Sequence, residues 1–372
     1  MAMPIGKIFD FIIDNGGSDI ILTVGAPPSI RMHGDIKAIS KNPLTKEETV
    51  GFFKSIAQPK NVKELETDFT SDFAFNHEDK ATFRISAFMQ QECVALVMRI
   101  IPNQLIPFEK LGLPKMVLQE AMRPRGLFLV TGPTGSGKST TLATIIDFIN
   151  ANSAKHIITV EDPIEFRHKH KKSIVTHREV GVDVPTFPDA LKRALRQDPD
   201  VILIGELRDL ESISIALSAA ETGHLVMGTL HTNSAYDTIT RIVDAFPTNQ
   251  QDMVRTQVAG SLNLILCQTL CKKAEGGRIA AYEIMKVNSG MRNQIRENKI
   301  HQIPSSIQIS RGEGNVLFDD YLYDMYIAGQ VKFEAIAEKC KDLKALTARV
   351  REWKEEQARI QEKEGRKKKI KE

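Results

Sequence analysis

Residues 132–139 read Gly-Pro-Thr-Gly-Ser-Gly-Lys-Ser, and no other stretch constrains the fold as tightly. The continuous apolar run Leu127–Thr131 precedes it, and the helical pattern Thr140–Ile149 follows. A G-x-x-x-x-G-K-[ST] spacing between a strand and a helix is the pattern of a phosphate-binding loop. Small residues let backbone N–H groups close around phosphate oxygens, and the helix N-terminus adds partial positive charge. Lys138 has the reach for β and γ phosphates, and Ser139 can give a hydroxyl to Mg²⁺. Gly132, Thr134, Gly135, Ser136, Gly137, Lys138 and Ser139, with Thr140 opening the helix, form the candidate nucleotide-binding set.

Further apolar runs follow at His156–Val160, Val201–Ile204 and Leu225–Thr229, with helical segments between them. Apolar strands alternating with helices predict an α/β domain whose parallel sheet is covered on both faces. Chemistry belongs at the strand ends. Asp200–Ile204 runs into Gly205-Glu206, so Glu206 is the candidate metal carboxylate, with Ser139 as its partner. Glu161-Asp162-Pro163-Ile164-Glu165 follows another strand, and Glu161, nearest the strand end, is the candidate for orienting or deprotonating water. His224 and His231 flank Leu225–Leu230 and are candidates for sensing the γ phosphate or a neighbouring subunit.

Before the phosphate loop the pattern differs. Ile5, Ile8, Phe9, Ile12 and Ile13 share one helical face, which Gly16-Gly17 ends. Short strands at Ile20–Val24, Ser29–Met32 and Ile36–Ile39 surround turns at Gly25–Pro28 and His33–Asp35. Thr45 and Glu48 form a capping box for a helix to about Ala57, and strand-like runs follow at Asp68–Phe75, Ala81–Met89 and Cys93–Ile101. The expected organisation is a small α+β domain over 1–101, a Pro-rich linker over 102–114, the P-loop domain over 115–331 and a tail over 332–372. Residues 250–330 read as mostly helical, and 333–360 as one amphipathic helix ahead of Gly365-Arg366-Lys367-Lys368-Lys369.

The net charge of +3 is unevenly spread. The last 41 residues hold 14 Lys/Arg against 9 Asp/Glu, and the rest is close to neutral. That argues against a chain-wide nucleic-acid surface, and no nucleic-acid partner is expected. Four scattered cysteines exclude a disulfide framework. The start lacks the profile of a signal peptide, and no apolar run approaches the ~20 residues that span a bilayer. A cytoplasmic protein is expected.

With these segments quoted, the chain resembles the type II/IV secretion ATPase superfamily, and within it the type IV pilus retraction ATPases of the PilT family. Gly132–Ser139 matches the Walker A motif, Thr159–Phe166 the Asp box, Asp198–Glu206 the Walker B and Glu221–His224 through His231-Thr232 the His box. Gly17–Ile20 and Gly25–Pro28 resemble the family's PAS-like N-terminal domain. The resemblance implies a RecA-like core with a PAS-like domain, a helical C-terminal region, and ATP between the two domains of each protomer. It implies a homo-hexameric motor ATPase for pilus retraction and twitching motility, with ATP and Mg²⁺ as cofactors. It also implies an inner-membrane pilus platform protein as partner, a paralogous retraction ATPase as a second one, and a place at the inner face of the cytoplasmic membrane. Arg84 and Arg99 match N-domain arginines that approach the γ phosphate on closure, and Arg278 matches a family arginine near the nucleotide.

Two features separate retraction from assembly motors. Cys267 and Cys271 are spaced C-x₃-C without a second pair, unlike the four-cysteine zinc module of assembly ATPases. Residues 290–297 read Gly-Met-Arg-Asn-Gln-Ile-Arg-Glu, close to the retraction motif A-I-R-N-L-I-R-E. The basic run Arg167–Lys172 and the stretch Val175–Asp183 also resemble the accessory paralogue PilU, which stays open as an alternative alongside a related secretion or assembly ATPase.

Overall fold

The computed structural model describes residues 3–32, 35–78, 80–102 and 105–369, with 361–369 as helical backbone only. His33 and Gly34 of the predicted turn lie outside the described residues, as do positions 103 and 104 of the predicted linker. The chain divides into two compact units. One holds 1–105, 161–169 and 177–183, and the other holds 106–160, 170–176 and 184–372. The two short returns of the chain into the first unit are not signalled by composition.

The first unit begins with α1 (Ile5–Asp14), then β1 (Asp19–Leu22), β2 (Ser29–Met32) and β3 (Asp35–Ala38). Next come α2 (Lys46–Ile56), α3 (Pro59–Asp68), β4 (Thr70–His77), β5 (Ala81–Gln90) and β6 (Cys93–Pro102). Its six strands form an antiparallel sheet in the order β3-β2-β1-β6-β5-β4. α1 buries Ile8, Phe9 and Ile12, and Phe9 stacks on Phe83 with centroids 4.1 Å apart. The Thr45 hydroxyl accepts from Glu48 N, and the Glu48 carboxylate accepts from Thr45 N at 3.0 Å, so both halves of the capping box form. α3 escapes a periodicity reading because Asn61 and Leu65 are its buried positions, too few to mark an apolar stripe.

In the second unit, α4 (Phe108–Leu111) and α5 (Lys115–Ala121) lead into β7 (Gly126–Thr131) and α6 (Lys138–Asn152). β8 (His156–Glu161), β9 (Ile174–Glu179), α7 (Phe187–Ala194), β10 (Val201–Ile204), α8 (Leu210–Glu221) and β11 (Leu225–Leu230) follow. α9 (Ala235–Asp244), α10 (Gln251–Ser261), β12 (Leu262–Lys272), β13 (Arg278–Lys286), α11 (Ser289–Arg296) and α12 (Ile303–Ile309) continue the chain. α13 (Phe318–Ile327), α14 (Phe333–Ala337) and α15 (Leu343–Lys369) end it. The sheet order is β13-β12-β7-β11-β10-β8-β9, with β8, β10, β11, β7 and β12 mutually parallel. Every residue of β7, β10 and β11 is buried, the signature of a sheet covered on both faces.

Two sequence expectations are corrected. Residues 250–330 hold the helices α10 to α13, but they also hold β12 and β13, which form a long antiparallel hairpin at the sheet edge. β12 is buried on both faces over its first seven residues, so it lacks the alternation of a half-exposed strand, and periodicity cannot tell such a strand from a buried helix. Residues 333–360 are not one helix. The Asp319 carboxylate accepts from Lys341 N and Asp342 N, both at 2.8 Å, and Asp342 accepts from Ala345 N at 2.9 Å. The Asp319 bonds hold the chain at the break between α14 and α15, and Asp342 satisfies an orphan donor in the first turn of α15. Ile336 and Leu346 then pack with Phe318, Leu322 and Met325. Among the described residues no helix is long and apolar enough to cross a membrane.

Leu266 is fully buried and pairs across both neighbours, Val130 on β7 and Ile284 on β13. Leu266→Ala should cost about 2–5 kcal/mol in chemical denaturation. Ile36→Ala, on an exposed strand, should stay within about 0.5 kcal/mol.

Candidate active site

The phosphate loop leaves the end of β7 and enters α6. Gly132, Gly135 and Gly137 have φ of 141°, 78° and 89°, values open to glycine at little cost. The Lys138 ammonium is nearly buried and donates to Gly132 O at 2.8 Å and Pro133 O at 3.1 Å, which folds it over the loop. α6 starts without a side-chain cap on Gly137, so the N–H groups of its first turn have no side-chain acceptor there. The buried Ser136 hydroxyl has no partner among the described residues. An uncapped helix start, an orphaned hydroxyl and a captive lysine fit a nucleotide's phosphate chain.

Sequence reasoning misses the residue that shapes this loop. Gln268, buried on β12, donates from Nε2 to Ser136 O at 2.7 Å and accepts at Oε1 from Thr141 Oγ1 at 2.7 Å. Its own backbone oxygen would lie 2.1 Å from a Cβ on Gly132, so the glycine is required by close approach as well as by φ. One residue therefore ties both the loop and the first turn of α6 to the sheet. The only signal in the sequence is a glutamine inside an apolar run, where a buried amide needs partners.

Three parallel strands deliver the remaining groups to the same edge. Gly132 N donates to Leu230 O at 3.3 Å, which joins the start of the loop to the end of β11. His231 follows β11 and Glu206 follows β10. His231 Nε2 stands 3.3 Å from Glu206 Oε1, and Arg208 Nη2 stands 2.6 Å from Glu206 Oε2. Burial pushes the Glu206 carboxyl up, but the hydrogen bond and charge of Arg208, aided by His231, outweigh it and hold the group below the usual range. The lowered value favours the ionised carboxylate. No cluster of three His, Cys, Asp or Glu side chains forms a metal cage among the described residues. A hydroxyl and a carboxylate alone suit Mg²⁺, which keeps several waters and leans on substrate phosphates.

The other predicted residues are distributed as follows. Glu161 ends β8, within the first compact unit. Its Oε2 accepts from Glu165 N at 3.4 Å, and His177 Nδ1 stands 4.0 Å from Oε1. Arg84 and Arg99 are cross-strand partners on β5 and β6 in that unit, and Arg99 Nε donates to Asp19 Oδ1 at 2.9 Å. Arg278 opens β13 opposite Lys272, with its side chain exposed. His224 is not brought to the phosphate edge. It precedes β11, so a six-residue strand, roughly 20 Å, separates it from His231. Its Nδ1 lies 3.1 Å from Ala219 O, and its backbone oxygen accepts from Gly126 N at 3.0 Å. The first closes the turn between α8 and β11, and the second joins that turn to the start of β7.

A profile of the family described as Type II/IV secretion system protein matches residues 66–336. The type IV pilus retractation ATPase PilT of Pseudomonas aeruginosa is 45% identical over 91% of this chain and 98% of its own. The chain belongs to the type II/IV secretion system family, in its pilus retraction ATPase branch. The type IV pilus ATPase PilU of the same organism is 36% identical over 92% of this chain and 91% of its own. The crystal structure of the pilus retraction motor PilT with bound ADP superposes with a TM-score of 0.87, at 48% identity, over 93% of this chain and 99% of that one. Membership of this family makes the chain a nucleotide-binding ATPase, and the mixed α/β fold agrees.

Two predictions follow from the geometry of this family member. Gln268→Leu should raise the KM for ATP by about tenfold, the loss of one or two buried hydrogen bonds, while kcat falls less. Gln268→Asn should not restore it, because the amide is withdrawn from Ser136. Steady-state kinetics read both. Arg208→Ala should move the acid limb of the pH–rate profile up. The folded pKa of Glu206 is depressed, so its ionised form, and the stability tied to it, is lost only as pH falls through that lowered value. Without Arg208 the loss comes at higher pH. An unchanged acid limb would show that Glu206 does not govern it.

Proposed function

We propose that the chain converts ATP hydrolysis into type IV pilus retraction, as a ring of six copies acting on a pilus platform protein at the inner face of the cytoplasmic membrane. The observation that carries this reading is the intact set of Lys138, Ser139, Glu206 and Glu161 within a chain aligned nearly end to end with a retraction ATPase. The greater identity to PilT than to PilU, 45% against 36%, favours the retraction motor over the accessory paralogue. A working division is 1–101, 102–114, 115–331 and 332–372 for N-domain, linker, P-loop domain and tail.

In this reading the loop backbone from Gly135 to Ser139 and the Lys138 ammonium hold the β and γ phosphates of ATP. Ser139 and Glu206 would hold Mg²⁺, which when bound would neutralise charge building on the phosphate oxygens. Glu161 takes a proton from the attacking water, and the γ phosphoryl group passes to that water with ADP leaving. His231, in contact with Glu206, senses whether the γ phosphate is present. Arg84 and Arg99 add cationic charge when the N-domain closes. Arg278 lies at the nucleotide, as the family pattern suggests, and His224 serves the contact with a neighbouring copy.

Phosphate release by the purified protein tests the chemistry. Lys138→Ala should abolish it, and Glu161→Gln should lower kcat at least ~10²-fold with nucleotide binding largely kept. Wild-type turnover by Glu161→Gln would remove Glu161 from the base role. Deleting the gene should leave surface pili that accumulate without retracting. Normal retraction would sink the motor reading.

A further inference from the structure

At the sheet edge opposite the phosphate loop lies a cavity of about 580 Å³. Gly126 at the start of β7, Asn263 near the start of β12, Glu221 at the end of α8, and Arg123, Arg125 and Arg292 line it. β7 separates it from the phosphate loop by six residues, roughly 20 Å. It is a second site, and none of the nucleotide-binding residues enters it.

The walls are built with unusual care for a surface hollow. Asn263 Nδ2 donates to Arg125 O at 2.8 Å and fixes the backbone there. Gly126 has φ of 114°, and a Cβ on it would stand 2.2 Å from that same Nδ2. Only glycine lets the asparagine reach in. Arg292, on the helix that carries the Arg292-Asn293 and Ile295-Arg296-Glu297 pattern, donates from Nη1 to Gly260 O at 2.9 Å and to Ala259 O. Its guanidinium is thus anchored at the cavity wall by the last carbonyls of α10.

The charges do not balance. Glu120 answers Arg123 at 2.5 Å and also Lys286 at 3.4 Å, so one carboxylate serves two cations. Glu221 is engaged by Gln257 Nε2 at 3.1 Å. Among the described residues no carboxylate pairs with Arg125 or Arg292, and the Arg125 side chain is exposed. Burial, and then the charges of Arg123 and Arg296, pull the Arg292 guanidinium below its ordinary value against a smaller opposing effect of Glu120. Guanidinium forks match phosphate oxygens in pairs, and a hollow of this volume holds a ligand of mononucleotide size.

We propose that this cavity binds a small phosphate-bearing anion, held chiefly by Arg125 and Arg292 with Arg123 completing the rim. The site is independent of whether the phosphate loop turns over ATP. Binding there bears on α10 and α11 directly, since Arg292 already bridges them.

Pyrophosphate is the probe, titrated calorimetrically into full-length protein saturated with ADP. One further site per protomer is expected, weakened by salt as phosphate contacts are. The same site should persist in Lys138→Ala without ADP. Arg125→Gln should weaken it at least tenfold, and because that side chain holds no other residue among the described ones, the loss cannot be assigned to misfolding. No pyrophosphate heat in the ADP-saturated protein, or an unchanged affinity in Arg125→Gln, overturns the proposal. Cosedimentation with anionic lipid vesicles that Arg125→Gln abolishes, without pyrophosphate binding, would overturn the small-ligand assignment in favour of a lipid headgroup.

Discussion

The side-chain amide of Gln268 is the interaction on which the catalytic half of the molecule turns. A phosphate loop made of small residues has little packing of its own, and its glycines bring the entropy that makes it adaptable. Gln268 removes that freedom where it matters. It grips Ser136 O on the loop and Thr141 on the helix, and it does so from a strand whose position is fixed by β7 on one side and β13 on the other. The cradle is therefore as rigid as the sheet beneath it.

Much of the site was legible because its chemistry depends on local spacing. The loop, Lys138, Ser139 and the carboxylate of Glu206 follow directly from short runs ahead of turns. Gln268 was not legible, because its partners lie 127 and 132 positions away and its strand reads as helix. The two histidines show another limit. His224 and His231 flank one strand symmetrically in the sequence, but a strand has two ends, and only its C-terminal end faces the phosphate loop. The break at Lys341-Asp342 was hidden for a similar reason: its cause is the carboxylate of Asp319, on a different helix. The capping box at Thr45 and Glu48 was legible because its partners lie within one turn, and the face of α1 because its apolar residues recur at helical spacing.

The two edges of the large sheet carry opposite chemistry for a common reason. At the edge where the parallel strands end, α6 begins and offers free N–H groups to anions. At the other edge α10 finishes, and its last carbonyls accept from the Arg292 guanidinium. Glu206 sits at the first edge without repelling the phosphates because Arg208 and His231 each take one of its oxygens. A carboxylate there is tolerable only with such company.

The absence of space between Gly132 and the backbone of Gln268 has a mechanical meaning. Two parts in contact with no clearance move together, and neither can shift without displacing the other. The β12–β13 hairpin continues past the last residue of β7 before it turns, so its tip stands beyond the row that holds the loop. A load applied to that tip is carried down a paired, largely buried ribbon to Gln268 and from there into the phosphate cradle, with no play along the way. In a machine that must pass force between its fuel site and its exterior, such a joint transmits rather than absorbs.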